Sequence, residues 1–162
     1  MTNLHAGWGL YPGDDTYANC NPQWTGSDFQ IDPKNGDTCK GDSVSLITDG
    51  GWNRTLILKG VTLDSFGIAT KNATINAFGI WGKGYFNNSH IGTANIEGRL
   101  KVELAAQSGT NTMNTLNHTG SLLNIKTLAD DSTLAITTLN QATTGLSQIF
   151  KNVSVEHFNL YA

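Results

Sequence analysis

Charge is scarce in this sequence. Charged residues make up 14% of the 162 residues, well below the roughly 25% of an average soluble domain. The 10 Lys and Arg residues are scattered singly, without the basic patch that neutralises nucleic-acid phosphates. No apolar run approaches the ~20 residues that cross a bilayer as a helix. We therefore expect neither a nucleic-acid partner nor a membrane span.

The first residues lack the features of an export signal. Met1 is followed by Thr, Asn, Leu and His, without the basic and apolar regions of a signal peptide. This favours either a protein that is used without export or a piece of a longer exported chain.

Motifs of catalytic and phosphate-binding loops are also missing. The sequence has no Gly-x-Ser-x-Gly, no phosphate loop and no Gly-x-Gly-x-x-Gly after a predicted strand. Its 4 histidines are far apart, and none has Cys, Asp or Glu at a metal-ligand spacing. We expect no enzymatic activity, no metal and no cofactor.

Glu97 and Glu103 are the one carboxylate pair that we compare with a glycoside hydrolase. Cleavage of a glycosidic bond uses two carboxyl groups roughly 5–9 Å apart, and these residues lie on or near adjacent predicted strand segments. Exposed strand charges explain them more simply, because nothing in their spacing requires an active site. A polysaccharide-cleaving spike is therefore the second alternative for the function.

Thr, Asn, Ser and Gly replace the missing charge, and this composition favours strands and turns. Short β-like segments follow from Val44 onward, as in Thr55-Leu-Ile-Leu58 and Arg99-Leu-Lys-Val-Glu-Leu104. All the prolines and both cysteines precede residue 43. We therefore divide the chain into a loop-rich N-terminal segment, 1–43, and a β-rich domain, 44–162.

Two weak internal repeats favour a solenoid. Phe66-Gly-Ile68 recurs as Phe78-Gly-Ile80, and Leu123-x-Ile125-x-x-Leu128 recurs as Leu134-x-Ile136-x-x-Leu139. Repeats of this kind indicate stacked units that bury their apolar faces only against their neighbours.

The stretch between Phe86 and Phe150 contains no Phe, Tyr or Trp. A sandwich core usually includes large aromatic side chains, whereas stacked Leu, Ile, Val, Ala and Thr fill a narrow solenoid. We therefore expect an all-β parallel β-helix or solenoid, with a β-sandwich or jelly roll as the alternative. Apolar residues at i, i+3, i+4 and i+7 from Leu146 predict a short helix near 145–153.

Cys20 and Cys39 form a candidate disulfide. Bridged, they would close a loop whose stabilisation is about 3 kcal/mol in the chain-entropy model. In a reducing compartment they would instead be two free thiols. The sequence leaves both states open.

Aromatic residues with polar edges form a candidate binding surface, which consists of Trp8, Trp24, Trp52, Trp81 and Tyr85. Such side chains suit sugar stacking and protein interfaces, because a large apolar face carries a hydrogen-bonding rim. A host glycan is the ligand that this interpretation implies. The alternative is that they anchor the loop-rich segment on the first strands.

The Thr- and Asn-rich strands from Val44 to Leu139, together with the two repeats, give the sequence a resemblance to known β-helices. It resembles the β-helical parts of phage tail fibres and spikes, and of bacterial autotransporter passengers. The resemblance implies a non-enzymatic structural or recognition component of a phage virion, as a capsid decoration, fibre or spike protein. Its partners would be other subunits of a homo-oligomer, with a trimer the expected symmetry.

The alternative that the resemblance offers is a fragment of a secreted bacterial adhesin or passenger domain. This protein would lie outside the cell or on its surface, and a Cys20–Cys39 disulfide would then be expected.

Overall fold

The computed structural model describes residues 2–5, 19–25, 28–36, 39–49, 54–71, 80–98, 101–120, 122–142 and 145–161. The strands in these ranges are β1 (Thr2–His5), β2 (Cys20–Thr25), β3 (Asp28–Pro33), β4 (Cys39–Asp49), β5 (Arg54–Lys59), β6 (Val61–Lys71), β7 (Ile80–Asn87), β8 (His90–Gly98), β9 (Lys101–Ser108), β10 (Thr110–His118), β11 (Leu122–Thr127), β12 (Thr133–Ala142), β13 (Leu146–Ile149) and β14 (Val153–Tyr161). In this part of the chain, no helix is long and apolar enough to cross a membrane.

Two sheets of 7 strands each make up the fold. Sheet A has the order β1-β4-β6-β8-β10-β12-β14, and sheet B has the order β13-β11-β9-β7-β5-β3-β2. From β3 onward the chain alternates between the sheets, so each strand pairs in parallel with the next strand but one. Among the described strands, β2 and β3 alone pair antiparallel. The fold is therefore the all-β parallel solenoid that the sequence predicted.

This alternation explains the repeat of Leu and Ile. The first copy, 123–128, begins on β11 in sheet B, and the second copy, 134–139, lies on β12 in sheet A. Their spacing is thus the passage from one sheet to the other. A whole turn is longer, since the paired residues Asn95 and Asn117 are separated by 22 positions. Phe78, in the other repeat, lies outside the described residues.

Tight turns carry the chain from sheet B to sheet A. A residue with positive φ occupies such a turn at Gly60, Asn88, Gly109 and Asn152. Glycine and asparagine adopt this left-handed conformation more readily than other residues. At Gly109 an added Cβ would also require the Asn88 side chain to move.

The core lies between the two sheets, where alternate residues of each strand stack on their counterparts in the next turn. One such inward row consists of Phe66, Ala94, Leu116 and Leu139, all buried. Phe66 also packs edge to face on Phe86, with ring centroids 5.3 Å apart. From Val102 to Leu139 the buried apolar side chains are aliphatic, which agrees with the narrow interior expected from the missing aromatics.

Two details differ from the sequence prediction. The segment 1–43, which was expected to be loop-rich, contains β1, β2, β3 and the start of β4. The helix expected near 145–153 is replaced by β13, a turn and the first residue of β14. Because β13 and β14 belong to opposite sheets that face one core, their apolar residues imitate helical spacing.

Candidate functional site

The outer face of sheet A carries a row of asparagines. This Asn ladder consists of Asn95, Asn117, Asn140 and Asn159, on β8, β10, β12 and β14. After Asn95, each side-chain amide donates to the amide oxygen of the preceding turn, at N···O distances of 3.0, 2.9 and 3.0 Å. The Asn ladder therefore ties successive turns together beyond their backbone hydrogen bonds.

A second outward row lies two residues before the Asn ladder. This Thr row consists of Thr93, Thr115 and Thr138, which occupy matching positions on β8, β10 and β12. Neighbouring rungs of a sheet are about 4.8 Å apart, so hydroxyl and amide groups repeat at this distance. The two rows together form a polar surface suited to hydrogen bonding with a ligand or a neighbouring protein.

A phenol, a carboxylate and an ammonium group come together on the outer face of sheet B. Tyr85 Oη donates to Glu103 Oε2 at 3.3 Å, and Lys126 Nζ forms an ion pair with Glu103 Oε1. Glu103 is 2% exposed, so its charge needs these partners. Burial and then the charge of Glu103 raise the pKa of Tyr85 to about 12.

This cluster is built as an ion pair, not as an acid–base pair. Both oxygens of Glu103 are engaged, and a phenol with a pKa of about 12 keeps its proton at neutral pH. Glu97, the other carboxylate of the pair considered from the sequence, is exposed on β8 in sheet A. The two carboxylates therefore point outward from different sheets and do not flank one glycosidic bond.

Inside the solenoid lies a polar cluster that sequence reasoning missed. His118 is fully buried, and its Nδ1 lies 2.9 Å from Gln141 Oε1 and 3.2 Å from Ser147 Oγ. Gln141 Nε2 donates to the Ala142 carbonyl at 3.1 Å, so Oε1 faces His118 as an acceptor and Nδ1 carries the proton. Burial lowers the pKa of His118, and the hydrogen bond to Gln141 opposes this in part.

The structure describes the side chain of one member of the candidate aromatic surface. Trp8 and Trp52 lie outside the described residues. Trp24 and Trp81 are on β2 and β7, with side chains outside what the structure describes. Tyr85 is half-buried beside Glu103 and so belongs to the ion-pair cluster.

A disulfide joins Cys20 to Cys39, with Cα atoms 4.9 Å apart. It ties β2 to the start of β4. Strand β2 runs antiparallel to β3 at the end of sheet B and contains Pro22. Proline has no N–H to offer to a further strand, so the disulfide holds a strand that closes this edge.

An open depression of about 630 Å³ lies beside the turns between the sheets, and its lining residues are Pro33, Gly36, Lys59, Gly60, Asn87, Asn88 and Ser108. Within the described ranges, no three His, Cys, Asp or Glu side chains converge as metal ligands.

No protein-family model, no curated protein and no solved structure matches this chain. The class that fold and surface define is a parallel β-solenoid with polar outer rows.

Proposed function

We propose that this chain is a non-enzymatic structural or recognition component of a phage virion, as a fibre, spike or capsid decoration protein. The observation that carries the proposal is the Asn ladder on a solenoid whose inward rows stack continuously. The outer amides and the inner apolar side chains hold each turn to the next. Such a body is stiff and presents the same polar groups at regular intervals, as a fibre or spike requires.

The polar groups that come together in the structure support binding more than catalysis. Glu103 has both oxygens engaged, and His118 is fully buried. The Thr row and the Asn ladder, in contrast, point outward. A host glycan is a ligand class that fits them, because its hydroxyl groups both donate and accept hydrogen bonds.

Immunogold labelling tests the virion proposal. Antibodies against the purified chain are applied to phage particles and to cells from the source culture. Label on the particles is expected. Label on cells alone would overturn the proposal.

Glycan recognition is tested with variants on a glycan array. Thr115→Tyr introduces bulk into the Thr row, while Gln148→Tyr places the same bulk on β13 in sheet B. We expect the first variant to lose the glycans that the wild type binds and the second to keep them. Equal binding by both variants would show that the outer rows of sheet A are not the glycan-binding site.

A second function is favoured by the Cys20–Cys39 disulfide. Disulfides persist mainly in oxidising compartments, which suits a fragment of a secreted bacterial adhesin or passenger domain. The same labelling separates the two functions, because an adhesin would label the cell surface.

A further inference from the structure

The C-terminal end of the solenoid leaves apolar side chains uncovered. On β14 the inward rows of sheet A end at Val153, Val155, Phe158 and Leu160. Their counterparts on β12 are buried, whereas Phe158 and Leu160 are 55% and 61% exposed. Other large apolar side chains exposed in the last turns are Leu128, Ile149, Phe150 and Tyr161. Together these side chains form an exposed apolar face at the end of the core.

The edge of sheet A is open at the same place. Strand β14 is the last strand of this sheet among those described, and an edge strand presents unpaired N–H and C=O groups. At the other end of the solenoid, β2 closes sheet B with an antiparallel pair and Pro22. A head-to-tail stack of copies would bring β14 against β1, the other end of sheet A, but it would also bring β13 against the closed edge of sheet B. The two ends therefore match in one sheet only.

Strand β14 is instead complementary to itself. Its pairing with β12 skips Glu156. Two inward residues therefore precede the point between Glu156 and His157, and two follow it at the same distances. Read from either end, the strand has the same order of inward and outward positions.

We infer that β14 pairs antiparallel with β14 of a second copy of this chain, about a two-fold axis between Glu156 and His157. In this register Val153 faces Leu160 of the second copy, and Val155 faces Phe158. Glu156 faces His157, so a carboxylate lies opposite a basic group in each half of the contact. Ser154 faces Asn159 on the outer side. The axis is perpendicular to the sheet, so both cores lie on the same side of the shared sheet.

The length of β14 and the distance between the sheets set the size of this contact. Strand β14 has 9 residues, which span about 30 Å at ~3.3 Å per residue, and packed sheets lie about 10 Å apart. The flat area of this end is therefore roughly 300 Å² on each copy.

This inference deepens the proposed function by naming a second copy as the partner, and it is tested separately. The first test is a cross-link that depends on the register. A Ser154→Cys and Asn159→Cys double variant places each new thiol opposite its counterpart in the second copy. We expect a covalent dimer on a non-reducing gel from the double variant, and none from either single variant.

The second test compares charge variants by sedimentation equilibrium. Phe158→Asp is expected to raise the dissociation constant at least about tenfold, because the change occurs twice in a two-fold contact. Thr110→Asp is the control, since Thr110 is exposed on β10, away from β14. Circular dichroism verifies that both variants fold.

A charge reversal tests the contact between Glu156 and His157 of the two copies. Glu156→Lys places two basic groups opposite each other and should weaken the dimer. Adding His157→Glu restores opposite charges and should recover the association.

A chain that stays monomeric, a trimer, or a dimer without the register-specific cross-link would overturn the inference. If the chain proves monomeric, the labelling of virions is still expected. If the virions are not labelled, the dimer is still expected. The two failures are therefore distinguishable.

Discussion

His118 Nδ1 lies 2.9 Å from Gln141 Oε1 inside the solenoid, on adjacent strands of sheet A. Both residues occupy one inward row, directly after the Asn ladder. The row places an imidazole where water does not reach, and burial lowers the pKa of His118 below its ordinary value of 6.5. The folded protein therefore favours the neutral ring.

This burial predicts a pH-dependent stability. As the pH falls below 6.5, the unfolded chain takes up a proton on His118 before the folded chain does. The free energy of unfolding should therefore decrease with falling pH, from 6.5 down through the folded pKa, and His118 should not contribute to the slope above that range. Urea denaturation at a series of pH values measures this effect.

Two variants test whether His118 causes this pH dependence of stability. His118→Gln should remove it, whereas His90→Gln should retain it because His90 is exposed. An unchanged slope in His118→Gln would show that other groups cause the dependence.

Loss of one rung should weaken the Asn ladder. Asn117 both donates and accepts a side-chain bond, so Asn117→Ala should cost about 1–3 kcal/mol at ~1 kcal/mol per bond. Asn159 makes one of these bonds, and Asn159→Ala should cost less. Chemical denaturation measures both losses of stability. Asn114→Ala is the control, because Asn114 is exposed on β10, the strand of Asn117. Equal losses at all three positions would contradict a cooperative ladder.

Gly84 should not tolerate alanine. A Cβ there would lie 2.8 Å from Phe66 Cζ and 3.0 Å from Leu104 Cδ2, and overpacking of this kind costs about 1–3 kcal/mol. Phe66→Leu should relieve the contact. A double-mutant cycle on stability should therefore show coupling between Gly84→Ala and Phe66→Leu. Strictly additive effects would mean that the ring is not the obstacle.

Removal of the disulfide should destabilise the chain. Cys20 and Cys39 are separated by 19 positions, and a loop of this size is credited with about 3 kcal/mol. The Cys20→Ser and Cys39→Ser double variant should lose about this amount in thermal unfolding. Reductant should have the same effect on the wild type and none on the variant. A reductant effect that persists in the variant would have another origin.

Tyr85 should titrate later than an ordinary tyrosine. Its pKa is raised to about 12, first by burial and then by Glu103. Glu103→Gln should lower that pKa but leave it above 10.0, because burial persists. Phenolate absorbance, taken as the difference from Tyr85→Phe, reports this group. A Glu103→Gln variant without any change would show that the carboxylate does not act on Tyr85.

The fold could be predicted because two sequence features depend directly on the architecture. The missing aromatics between Phe86 and Phe150 match an interior filled by residues such as Leu116 and Ile125. The spacing of the Leu and Ile pattern matches a passage between sheets.

The length of a whole turn could not be read from the sequence, because it varies. Residues bonded across adjacent turns are 19 positions apart at Asn140–Asn159, 22 at Asn95–Asn117 and 28 at Val61–Ser89. A fixed period therefore does not appear.

Within the candidate site, the sequence pointed to Tyr85 and Glu103 but not to their contact, which depends on the register of β7 and β9. It also contained a signal for the buried His118. Thr-Leu-Asn precedes both His118 and Gln141, and comparing these copies would have placed both residues in one inward row.

The mass of the chain in solution, measured by light scattering after size exclusion, tests the assembly account most directly. We predict a particle of twice the chain mass whose size is the same with and without reductant, because β14 lies at the opposite end from Cys20. A well-ordered monomer that expands on reduction would contradict the account and favour an exported, disulfide-stabilised binding domain.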